Sequence, residues 1–207
     1  MSRLRILIVE DEPVIAENIS MYLDNTDFEV SGIAYDSTEA NEQLNNNTPD
    51  AAILDVNLGS DEDGIQIAGL INKKHKIPFL FLTSYADKNT LDRAKAVKPS
   101  GYIVKPFNEK TLLASLEIAI SNHAAENNHD LPPLSIIKLN HHILSPLSDR
   151  EFELAQCLYE GITNTQIAEK LFISVNTVKT HLKNIYIKLD ANSRVEVIKR
   201  LRVLMLK

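Results

Sequence analysis

Four short apolar runs of this chain each end on groups that can do chemistry. Leu4–Val9 runs into Glu10-Asp11-Glu12, and Ala51–Leu54 runs into Asp55. Pro78–Leu82 ends in Thr83-Ser84, and Gly101–Val104 in Lys105-Pro106. Such runs read as strands buried on both faces. In open parallel α/β sheets, ligands bind at the C-terminal ends of the strands. One edge would then carry acids, a hydroxyl and an ammonium, a set suited to a divalent metal and a phosphoryl group. Glu10, Asp11 and Asp55 repel one another when crowded. Mg2+ would relieve that with one or two carboxylates and a carbonyl, for which the backbone C=O of Asn57 is a candidate. A carboxylate can also attack phosphorus and form an acyl phosphate. The metal and Lys105 would neutralise the phosphoryl oxygens. For any one of these acids alone, a favourable place at the positive start of a helix is an equal account. For the whole set with Thr83 and Lys105, it is a poor one.

The elements that must position these groups alternate through residue 121. The pattern predicts strands at Leu4–Val9, Phe28–Ala34, Ala51–Leu54, Ile77–Leu82 and Gly101–Val104. Helices are expected near 12–24, 37–46, 65–74, 87–97 and after Asn108. Pro13 suits a first helical turn, and Asp36 or Ser37 suits a cap. Five βα units in sequence argue an α/β fold, a doubly wound five-stranded parallel sheet of flavodoxin-like order.

Charge divides the chain. Residues 1–121 hold 11 Lys+Arg and 19 Asp+Glu, whereas residues 145–207 hold 10 and 7. This predicts a front domain over 1–121, a linker over 122–144 rich in Asn, His and Pro, and a back domain over 145–207. Within the linker, the apolar residues of Leu134–Ile143 could pack on a neighbour. The single cysteine, Cys157, excludes an intramolecular disulfide and fits a reducing compartment. No apolar run of about 18 residues suggests a membrane span. The N-terminus passes directly into a strand and is no signal peptide. A cytoplasmic protein is expected.

The back domain reads as four helices. Ser148-Asp-Arg-Glu151 and Ser193-Arg-Val-Glu196 are capping boxes. Ile167, Ala168 and Leu171 make one apolar face, and Val175, Val178, Leu182, Ile185 and Leu189 the next. Opposite the second face lie Asn176, Lys179, Thr180, Lys183 and Asn184, which suit base edges and phosphates of a major groove. A solvated face is the better account of an isolated Lys-x-x-x-Lys. From Lys170 onward, however, nine Lys+Arg face two acids.

Two resemblances extend this reading. Val9-Glu10-Asp11-Glu12, Asp55, Thr83-Ser84, Tyr102 and Lys105-Pro106 make residues 3–121 similar to the receiver domain of two-component response regulators. The resemblance implies that Asp55 is the phosphoacceptor. It implies that Asp11, Asp55 and the Asn57 carbonyl hold Mg2+, with Glu10 in the outer shell. Lys105 would contact the phosphoryl group, Thr83 would swing to bond it, and Tyr102 would turn inward. The Lys105–Pro106 bond is usually cis in such domains. Leu147-Ser-Asp-Arg-Glu151, Gly161–Ala168 and Ile173–His181, with Asn184-Ile185 and Lys188-Leu189, resemble the LuxR/NarL-type helix-turn-helix. That implies a four-helix domain whose third helix reads double-stranded DNA through Lys179, Thr180 and Lys183, with Lys188 reaching phosphate. Val195, Ile198 and Arg202 would be candidates for a homodimer contact. A sensor histidine kinase is the implied partner.

Three departures stand out. Gly59 stands where receivers commonly carry a proline after the phosphoacceptor. The loop to Asp63-Gly64 is about one residue longer, by comparison with the receiver pattern. Thr165-Gln166 replaces a frequent Lys-Glu, removing a phosphate contact from the scaffold helix. Competing readings fare worse. A phosphatase of the haloacid dehalogenase type wants Asp-x-Asp, and here the second position is Asn57. A ligand-sensing LuxR-type regulator would have an aromatic-lined pocket in front, and the chain has no Trp. A regulator used without phosphorylation would not need the acid, Thr and Lys set.

Overall fold

The computed structural model describes residues 3–24, 26–47, 49–59, 64–84, 88–128 and 133–206. The chain divides into two compact units, one over Leu4–Ile120 and the other over the residues from Ser121 on. In the first, β1 (Leu4–Val9), β2 (Phe28–Ala34), β3 (Ala51–Asp55), β4 (Phe79–Thr83) and β5 (Gly101–Val104) form one sheet. The order is β2-β1-β3-β4-β5, and every pairing is parallel. The central strand β3 is buried at all five residues, which is why it reads as an unbroken apolar run.

Helices α1 (Pro13–Leu23), α2 (Ser37–Asn46), α3 (Gly64–Leu70), α4 (Lys88–Ala96) and α5 (Glu109–Asn128) connect the strands and follow the last of them. Pro13 opens α1. The Asp36 carboxylate caps α2 by accepting from Glu39 N–H at 2.8 Å, and Asn108 accepts from Thr111 N–H at 3.0 Å ahead of α5. Ile6, Ile8, Ile53, Leu80 and Leu82 pack with Ala16 and Ile19 of α1 and Leu112 and Leu116 of α5. Each fully buried Leu or Ile contributes about 1.5–3 kcal/mol. Two features differ from the periodicity. Helix α3 passes into a π-helical turn, Ile71–His75, and Lys76 closes it at φ 54°. Helix α5 runs on to Asn128, beyond the expected end at 121.

The second unit is all helical: α6 (Ile136–His142), α7 (Asp149–Tyr159), α8 (Asn164–Leu171), α9 (Val175–Leu189) and α10 (Arg194–Leu206). Helix α6 lies within the stretch whose composition reads as a linker. It is built into the core because Leu139 is fully buried. Asn140 also exchanges two hydrogen bonds with the Leu147 backbone, at 3.0 and 2.8 Å. The Lys138 ammonium donates to Met205 O at 2.6 Å near the end of α10. Leu154, Leu158, Ile167, Val178, Leu182, Ile185, Val197 and Leu201 form the core, with the lone thiol of Cys157 buried among them. Ser148 and Glu151 make a complete capping box on α7. Thr163 and Gln166 make another on α8, so Gln166 fills the role a glutamate would.

Candidate functional sites

The ends of β1, β3 and β5 bring the expected front groups together. One oxygen each of Glu10, Asp11 and Asp55 lies within 4.8 Å of the others. The Lys105 ammonium donates to Asp55 Oδ2 at 2.6 Å and to Glu10 Oε1 at 2.9 Å. It also stands 2.7 Å from Glu10 Oε2, an ion pair without a directed hydrogen bond. Asp55 Oδ1 accepts the Asn57 backbone N–H at 3.0 Å. The nucleophile candidate is therefore held at both oxygens. Glu10 is fully buried. Burial foremost, and then the neighbouring Asp55, push its carboxyl up to about 7 against the pull of Lys105. Burial alone would lower Lys105, but its bonds to Asp55 and Glu10 outweigh that and hold it above the usual lysine range. Three acids here share one ammonium, and a divalent cation would restore the charge balance.

Two glycines shape the pocket. Gly59 has φ +62°, a conformation closed to the proline common in receivers, and a Cβ there would stand 2.9 Å from Asp11 Oδ2. A Cβ at Gly64 would meet Asp55 O at 1.8 Å, so the start of α3 approaches the β3 backbone as only glycine allows. Residues 60–63 of the longer loop lie outside the described residues. Thr83 and Tyr102 line one small cleft with Val56, Thr90, Leu91 and Ala94. Tyr102 is 38% exposed. The Thr83 hydroxyl donates to Ser84 O at 3.2 Å. The Lys105–Pro106 peptide is cis.

In the second unit, α8, a turn at Phe172 (φ 53°) and α9 form the helix-turn-helix. The Ser174 side chain starts α9 by accepting from Thr177 N–H at 3.1 Å. Val178, Leu182, Ile185 and Leu189 face the core. Asn176, Thr180, Lys183 and Asn184 are exposed, and Lys179 is half-buried. The Thr180 hydroxyl bonds back to Asn176 O at 3.0 Å.

Residues 6–117 match the response regulator receiver domain, and residues 145–201 match the luxR family of bacterial regulatory proteins. The chain belongs to the response regulators. It is 29% identical over 213 residues to the oxygen regulatory protein NreC of Staphylococcus haemolyticus, spanning 94% of this chain and 95% of that one. It superposes on the signal receiver domain of a modulated diguanylate cyclase from Desulfovibrio desulfuricans at TM-score 0.57 and 33% identity. That match covers 60% of this chain and 99% of that one. Full-length FixJ from B. japonicum matches at TM-score 0.54 and 21% identity over the whole of both chains, a likeness of fold.

Not every expected side chain of this response regulator is where its residue type suggested. Lys188 is the exception. Its ammonium donates to Glu151 Oε2 at 2.7 Å and to Pro146 O at 2.8 Å. It is thus committed inside its own unit, because the buried Glu151 needs a counter-charge, and it is a poor phosphate contact. Sequence reasoning also missed the buried Arg194, which donates to Ile162 O. Among the described residues no helix is long and apolar enough to cross a membrane.

Proposed function

We propose that a sensor histidine kinase transfers a phosphoryl group to Asp55, and that the phosphorylated chain dimerises and regulates transcription through α9. The observation that carries this is Asp55 at a strand end, with one oxygen on Lys105 and the other on Asn57 N–H, beside Glu10 and Asp11. An Asp55 carboxylate oxygen attacks phosphorus as the P–N bond of the kinase phosphohistidine breaks. The imidazole keeps the electron pair and takes a proton from water. Lys105 then meets the phosphoryl oxygens. Mg2+ held by Asp11, Asp55 and the Asn57 carbonyl, with Glu10 behind them, would supply the remaining positive charge. The chain consumes one phosphoryl group per event, so it acts as a phosphoacceptor rather than a turnover enzyme.

The cleft shared by Thr83 and Tyr102 supports a switch: the hydroxyl turns to the new phosphoryl oxygens and the ring fills the space it leaves. At DNA, Asn176, Lys179, Thr180, Lys183 and Asn184 address base edges and phosphates of duplex DNA. A DNA partner and a kinase acceptor site together fit action in the cytoplasm. Intact mass after incubation with acetyl phosphate and Mg2+ tests the chemistry. One phosphoryl adduct is expected, absent in Asp55→Asn and prevented by EDTA. An adduct on Asp55→Asn would reject Asp55. Thr83→Ala is expected to be phosphorylated but to gain little DNA affinity from it.

A further inference from the structure

The first unit is acidic, yet residues 71–98 reverse its sign, with seven Lys or Arg against two acids. Six of the seven gather at two helix ends. Lys73, Lys74 and Lys76 lie at the π-helical end of α3, and Arg93, Lys95 and Lys98 at the end of α4. All six are exposed. The two ends are tied together, because the Asn72 side-chain amide donates to Val97 O at 2.5 Å. They lead into β4 and β5, where Ser100 N–H donates to Phe79 O at 2.9 Å. The cations therefore stand at the N-terminal edge of the sheet, opposite Asp55 and Lys105. Lys73, Lys74, Lys95 and Lys98 take part in no ion pair among the described residues.

The helix dipole accounts for a cation or two at each end. It does not account for six on joined ends. Nor does it account for Lys76 and Lys98 closing both helices at φ 54° and 49°, positions that glycine or asparagine takes with less strain. Lysines are flexible point charges, suited to a repeating anionic backbone rather than to one shaped ligand.

We infer that this edge binds the phosphate backbone of duplex DNA as a second contact, independent of sequence. The charge is complementary, and the same chain carries a DNA-binding unit, so a tethered edge meets DNA at high effective concentration. The inference rests on the DNA-binding reading of α9 and adds a separate surface to it.

The test uses the full chain with Lys73→Gln, Lys74→Gln, Lys95→Gln and Lys98→Gln combined. Fluorescence anisotropy would follow binding to random-sequence duplexes of about 12 and about 40 base pairs over a salt series. On the long duplex the variant should bind about 10-fold more weakly at low salt, with a log–log salt slope shallower by roughly 2–4. On the short one it should match the parent. The two paired variants, Lys73→Gln/Lys74→Gln and Lys95→Gln/Lys98→Gln, should each show about half the slope change. Unaltered Asp55 labelling by acetyl phosphate would confirm an intact fold. An unchanged slope and affinity on the long duplex overturns the inference, as does unchanged DNA binding with weakened capture by polyglutamate, which would make the partner an acidic protein. Lys179→Ala/Lys183→Ala run in parallel separates the two readings. If only that variant loses binding, the edge is rejected and α9 stands; if only the edge variant does, the edge contacts DNA but the α9 reading falls, and with it the claim that the edge is a second contact.

Discussion

Each unit contains a buried glutamate paired with a lysine at 2.7 Å, and the two pairs behave in opposite ways. Glu10 is pushed up to about 7, whereas Glu151 is held below the usual carboxylate range. Burial raises both. Glu151 overcomes it because Lys188 and the Ser148 N–H both serve its carboxylate, and no second acid competes. Glu10 must share Lys105 with Asp55, at 2.6 Å, and the two carboxylates repel. A buried ion pair with private partners is a structural rivet. One whose lysine is shared leaves a carboxylate oxygen, Glu10 Oε2, without a hydrogen bond.

The largest break of this contrast is Lys188→Ala. It leaves Glu151 buried without its cation and should remove about 3 kcal/mol from the second unit, the low end for a broken buried pair because Lys188 keeps 22% exposure. Calorimetry should show that unit melting earlier and the first unit unmoved. DNA binding should weaken only as far as the fold does, whereas Lys183→Ala should weaken it with the fold intact.

Next comes Glu10→Gln. Unfolded, Glu10 titrates near 4.5 and folded near 7, so between them the folded unit keeps a proton the unfolded chain has lost. Its contribution to stability is full below 4.5 and lost as pH rises through 7. In EDTA the first unit should melt about 10 °C lower at pH 8 than at pH 5, and Glu10→Gln should abolish that difference. Glu151 has the other sign: its contribution is full above the ordinary carboxylate range and lost as pH falls through its depressed value. Acidification below about pH 4 should therefore unsettle the second unit first.

Smaller still is Gly59→Ala. A left-handed alanine costs about 1 kcal/mol. Its Cβ would also crowd Asp11 Oδ2, so titration calorimetry should show Mg2+ binding several-fold weaker. Least of all is Gln166→Ala, which removes one capping bond to Thr163 N–H. It should lower the second unit by about 0.5–1 kcal/mol without touching phosphorylation.

The sheet, its strand ends and the helix-turn-helix were legible because local period and local caps carry them. Asp55, Lys105, Glu10 and Asp11 could be read because strand ends announce themselves in an open parallel sheet. Lys188 could not. From sequence it is an exposed cation on a polar face, and its partner Glu151 lies 37 residues earlier, outside any local pattern. Helix α6 is short, and its Ile136-Ile-Lys-Leu-Asn-His-His142 carries only Leu139 to the core, too weak a signal against a linker-like neighbourhood. Gly59 was visible only as a missing proline; its positive φ and its approach to Asp11 are facts of backbone geometry.

The buried Cys157 sets how a dimer of this chain would respond. It is the only thiol, packed at 3% exposure in the core, with burial pushing it up and away from the reactive thiolate. A Cys157–Cys157 disulfide is therefore disfavoured between two folded copies. Pairing of the kind proposed would then obey mass action, so well below the dissociation constant the paired species would grow with the square of the competent copies. Halving the supply of phosphoryl groups would cut it about fourfold, sharpening a graded input into a steeper output.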